Sequence, residues 1–174
     1  MTWIAPAVER ADPRYVAAER AALQDFLDYH RQTLLWKCSG LTGEQLTARA
    51  IPGSSLSLLG LVRHLAYVQR VWLRERAAGE SGLARLYCTP ERPDADFDDA
   101  APDGAEADFA VFAAECAAVD AAVANLPLDG TFVHPRLGVT IDLRWVYLHL
   151  IEEFARHNGH ADVLREQIDG ATGE

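Results

Sequence analysis

A chain of 174 residues, 49% of them apolar, is long enough to form one domain, 1–174, with a full core. No apolar run approaches the ~20 residues of a membrane span. The net charge of −10 argues against direct nucleic-acid binding, which needs clustered Lys and Arg. The opening MTWIAPAVERADPRY carries neither a basic leader nor an apolar signal region, so a cytoplasmic protein is expected. Cys38, Cys88 and Cys116 are far apart and odd in number, which suits reduced, partly buried thiols rather than a C-x-x-C metal site.

Asp12-Pro13 predicts the start of a first helix, which runs to about Cys38 and stops at Gly40. Val16, Leu23, Leu27 and Leu34 form its apolar stripe, and His30 on the same face reads as a packing histidine. A turn-rich stretch follows, with room for one short helical turn at Thr42 to Leu46. Ser55 or Ser57 then caps a second helix ending near Gly79, with Leu58, Leu61, Leu65, Val68 and Trp72 inward. His64 lies on that stripe, and Arg63, Arg70 and Arg74 are expected on the wet side. The acidic segment from Glu80 to Pro102 reads as a solvated connection. Asp103 with Glu106 forms a capping-box pattern for an alanine-rich third helix that stops at Pro127. Leu128 to Ile141 predicts a short hairpin or irregular segment, with His134 exposed.

Asp142 caps the last helix and Gly170 closes it. Val146, Leu150, Ala161, Leu164 and Ile168 make its stripe, yet Glu153 and His157 fall inside it. Burying a carboxylate and an imidazole unpaired is costly, so their presence there calls for a partner. At about 100° per residue they lie one turn apart on nearly one face, close enough to share a cation. His64 on a facing helix supplies a third ligand, and two His with one carboxylate leaves positions open for substrate. His149 and His160 fit the spacing as replacement ligands or as supporting donors. The pattern alone suits a polar network that braces the core better than it suits a metal site. The sequence contains no HExxH, GxSxG or phosphate-binding glycine loop.

LSLLGLVRHLAYVQRVWL and LRWVYLHLIEEFARHNGHADVLRE resemble the two signature helices of the DinB/YfiT-like metalloprotein superfamily. The most similar branch is the uncharacterised mini-circle protein group, near the mycothiol-dependent maleylpyruvate isomerase amino-terminal domain. The resemblance implies an all-α four-helix bundle holding a divalent metal, zinc or nickel, through three side chains. Carried over one at a time, these fall on His64, Glu153 and His157. It also implies mycothiol as a thiol cosubstrate, a small-molecule substrate and a homodimer, with the alanine-rich third helix as one candidate interface. The expected activity is a metal-dependent thiol transferase or isomerase. That isomerase has a further carboxy-terminal domain and this sequence stops at Glu174, so maleylpyruvate isomerisation itself is not expected. Two other readings stand beside this one. One is a hydrolase using metal-bound water. The other is a non-catalytic bundle that binds a ligand or partner around Trp72, Trp145 and the acidic segment. A DNA-binding role, suggested only by the superfamily's name, conflicts with the charge.

Overall fold

Local side-chain caps open three of the six α-helices of this all-α protein. The computed structural model describes residues 2–173. The α-helices are α1 (Glu19–Cys38), α2 (Gly43–Thr47), α3 (Leu58–Gln69), α4 (Ala95–Asp98), α5 (Ala105–Val123) and α6 (Leu143–Asp169). Strands β1 (Thr131–Val133) and β2 (Thr140–Asp142) pair antiparallel as the expected hairpin. Thr42 and Gln45 form a reciprocal capping box on α2. Ser57 accepts from the Gly60 N–H to open α3, and Asp142 accepts from the Trp145 N–H to open α6. Gly170 closes α6 in the left-handed conformation, φ 78°, that glycine adopts without steric cost.

Two helix starts differ from expectation. Asp12-Pro13 does not open α1, which begins at Glu19 with no side-chain cap, and Val16 is 92% exposed. The preceding segment instead runs back along α1 as a strap. Arg14 pairs with Asp25, the Ala11 N–H donates to Gln32, and Arg10 lies over the Trp36 ring. These contacts reward an extended strap over another helical turn. Asp103 likewise sits in a 3-10 turn, Pro102–Gly104, and α5 starts at Ala105 without a side-chain cap and ends at Val123.

Cross-helix contacts define the bundle order. Glu19 meets Arg144 near the starts of α1 and α6, and Lys37 meets Asp162 near their ends, so these helices are parallel. Arg63 meets Asp108 and Arg70 meets Glu115, so α3 and α5 are parallel as well. His64 against His157 and Trp72 against His149 make α3 antiparallel to α6. Successive long helices therefore run up, down, down, up. Two consecutive parallel helices need a connection that returns the full length of the bundle, which accounts for the long acidic stretch between α3 and α5. It folds back over α3 rather than hanging in solvent, and Asp96 within it is 2% exposed.

The arginine expectation is also corrected. Arg63 is 9% exposed and Arg70 8%, because α3 is flanked by α5 and α6 and covered by α4. Arg63 donates to both oxygens of Asp108 at 3.0 Å; Arg70 and Arg74 share Glu115. After Gln69 the helix loosens into a π-helical stretch, Arg70–Ala77, a form concentrated at functional sites.

Candidate metal centre

The outward end of the α3–α6 contact gathers the polar residues that the apolar stripes could not explain. One ligand atom each from His64, Glu153 and His157 lies within 4.8 Å of the other two. His157 Nε2 and Glu153 Oε2 are 3.6 Å apart, close to the ~3.4 Å edge expected of a tetrahedral site with bonds near ~2.1 Å. The side chains of His64, Glu153 and His157 are 23%, 24% and 13% exposed, so the trio is recessed yet open to solvent. Burial, then the charges of His64 and His160, push His157 down to about 4. It is therefore a neutral base at neutral pH, with a lone pair to offer. Two imidazole nitrogens and a carboxylate oxygen suit zinc or a similar divalent ion, with positions left for another ligand.

His64 is held from behind. His64 Nδ1 donates to Asp96 Oδ2 at 2.7 Å, which fixes the tautomer and frees Nε2 for a ligand. Asp96 is seated by the docking of α4 on α3. Gly60, one turn before His64, makes room for the Phe97 ring: a Cβ there would stand 2.5 Å from Cδ1. Arg63, beside His64 in sequence, donates to the carbonyls of Asp96 at 2.7 Å and Ala95 at 3.1 Å. Its guanidinium lies 4.0 Å from the centroid of the Tyr87 ring. Tyr87 takes φ 58°, costly for a residue with a Cβ, and its hydroxyl donates to Asp108. Burial and the Asp108 charge raise the Tyr87 phenol, which keeps it a donor.

His160 and His149 are brought to the rim rather than into the trio. His160 Nδ1 is 3.3 Å from His157 Nδ1, where it can fix that ring's tautomer. His149 Nε2 is 3.9 Å from Glu153 Oε1 and stacks on Trp145. His30 stays a packing residue, bonded through Asn158 on the α1–α6 contact. His134 is not exposed, as expected from its loop, but only 4% exposed. Its Nδ1 accepts from the N–H groups of Arg136 and Leu137 at the hairpin turn. Sequence reasoning missed Asp96. The available signal was Phe97, an aromatic ring inside a run of aspartates, which marks one turn of that run as packed.

Asp96→Asn weakens the hydrogen bond that orients His64, so zinc affinity is expected to fall about 10-fold while the metal-free melting temperature hardly moves. Competition against a chromophoric chelator checks this, and an affinity within twofold of the parent removes Asp96 from the account.

A four-helix bundle in up-down-down-up order, with two histidines and a glutamate converging between its second and last long helices, is a DinB/YfiT-like protein. A family model described as Mycothiol-S-transferase matches residues 22–170, and the chain belongs to that family. No curated protein matches the chain.

Proposed function

We propose that this protein is a divalent-metal-dependent transferase that joins the sulfur of mycothiol to a small electrophile. The observation that carries this reading is the convergence of His64, Glu153 and His157, with a buried carboxylate orienting the first of them. The description of the family, Mycothiol-S-transferase, supports mycothiol as the thiol.

The chain's own thiols are unsuited to the task. Burial lifts Cys38 to about 12, and it raises Cys88 and Cys116 as well, so none is a ready thiolate at neutral pH. The reactive sulfur is then brought in as a cosubstrate. His64, Glu153 and His157 would hold a divalent ion there, whose positive charge would lower the pKa of such a thiol. Asp96 keeps His64 in the ligating tautomer, and burial keeps His157 unprotonated. The thiol proton leaves to solvent and the sulfur forms the new C–S bond. The electron pair displaced from the electrophilic carbon departs with a leaving group or shifts into the conjugated system. No helix among the described residues is long and apolar enough to cross a membrane, and small-molecule chemistry needs none.

Removing metal tests this. Treatment with a chelator is expected to reduce mycothiol-dependent consumption of a conjugated electrophile to the uncatalysed rate, and one equivalent of zinc to restore it. Full activity in protein shown to be metal-free would overturn the proposal.

A further inference from the structure

Beside the candidate metal centre lies an aromatic surface that the reading above does not use. Trp145 stacks on His149 with ring centroids 4.9 Å apart and an interplanar angle of 15°, while remaining 45% exposed. Trp72 packs edgewise on His149 at 4.7 Å and against Trp145 at 5.4 Å. His149 in turn lies 3.9 Å from Glu153, so this surface is continuous with the trio.

Its charge is unusual for a chain of net charge −10. Arg63, Arg70 and Arg74 on the same helix each hold a carboxylate. Arg76 does not: it lies 4.1 Å from the centroid of the Trp72 ring, half-buried, with no ion-pair partner among the described residues. Burial first of all lowers the pKa of Arg76 and of His134, and the charge of Arg136 adds to both. The hairpin turn that carries Arg136 is pinned by His134, whose ring packs on Trp72 at 5.6 Å. A guanidinium without an ion-pair partner on the Trp72 ring, with a second arginine in the adjoining hairpin turn, makes a site complementary to a planar anion. A carboxylate meets the guanidinium fork, and a π-face meets the indoles.

We propose that Trp72, Trp145, His149, Arg76 and Arg136 bind the electrophilic acceptor, and that this acceptor is a planar conjugated carboxylic acid. The inference rests on the metal-thiol reading only for the identity of the surface as an acceptor subsite. Its recognition chemistry stands on the rings and the unpaired cations. Glu153 and His149 place the acceptor's conjugated end toward the trio while the arginines hold its carboxylate at the far side.

The test uses full-length protein stripped of metal, titrated calorimetrically with cinnamate, with the neutral cinnamamide and with the non-planar 3-cyclohexylpropanoate. Cinnamate is expected to bind about 10-fold tighter than either comparator. Arg76→Gln and Trp145→Ala, the latter at an exposed position where folding is secure, should each lower that affinity by about 10-fold. Arg14→Gln on the strap leaves it unchanged. Several results overturn the proposal: no cinnamate binding, equal affinity for cinnamate and cinnamamide, or an unaltered Arg76→Gln variant. Binding that appears only after zinc is restored places the carboxylate on the metal instead and also overturns it. Concentration-dependent dimerisation abolished by Trp145→Ala, without cinnamate binding, would make the surface a self-association face. Zinc affinity, measured separately, reports on the metal centre whatever the outcome here.

Discussion

Replacing His157 with Ala is expected to lower zinc affinity by at least about 100-fold and to remove thiol transfer, because on the proposed reading a metal ligand is lost rather than a supporting hydrogen bond. The metal-free variant should remain folded. His157 is a largely buried neutral ring whose polar neighbours include Glu153, His160 and His64, all partly open to water. The stabilising effect of zinc should vanish with the site. At 100 times the dissociation constant a native-state ligand adds about 2.7 kcal/mol, so the parent melts higher with zinc and the variant does not. His160→Ala separates ligand from support, and its expected loss is about 10-fold. Equal losses in the two variants would move His160 into the coordination sphere, and an unchanged His157→Ala would dissolve the trio.

The second large effect concerns stability. Arg63→Ala is expected to cost about 3–5 kcal/mol, the range for breaking a buried ion pair from one side. Among the described residues Arg63 is the sole cationic partner of Asp108, and both side chains are about nine-tenths buried. Truncation leaves that carboxylate with only the Tyr87 hydroxyl and strips the Ala95 and Asp96 carbonyls of their donor. For a chain of this size the melting temperature should fall by roughly 6–20 °C. Chemical denaturation of Arg63→Ala, Asp108→Leu and the double variant checks the mechanism. The double variant should recover part of the loss, since no uncompensated charge remains. A loss below about 1 kcal/mol in Arg63→Ala would mean that water reaches the pair and that α4 is seated by Phe97 alone.

Features written in adjacent residues were legible in the sequence. Ser57, Asp142 and Gly170 each satisfy a helix end through a bond within a few residues, so their positions carry the signal themselves. The pair Glu153 and His157 was visible as two polar residues inside an apolar stripe. His64 was linked to them as a polar residue on the apolar stripe of another helix, and the superfamily resemblance carried its ligands onto the same three residues, because nothing local says which helix faces α6. The arginines were misread for a related reason. Amphipathic reasoning assumes one buried face, and α3 has more than one. A pattern for this did exist: Arg63 and Arg70 are seven apart, as are Asp108 and Glu115, and the two spacings meet across parallel α3 and α5. Asp12-Pro13 misled in the opposite direction. It is a sound local start signal overridden by the tertiary contacts of Arg10 and Arg14.

Asp96, Tyr87 and Arg76 lie at positions where sequence offers little. Their roles depend on a long connection returning along the bundle and on a π-helical stretch, both consequences of tertiary packing. Together they surround the trio with an oriented histidine on one side and an aromatic, cationic surface on the other.

The most direct measurement is X-ray absorption at the metal edge of purified protein loaded with one equivalent of zinc. The account predicts one tightly bound ion with two imidazole ligands and a carboxylate oxygen, and a sulfur scatterer near ~2.3 Å once mycothiol is added. A first shell without imidazole, or one that mycothiol leaves unchanged, would contradict it.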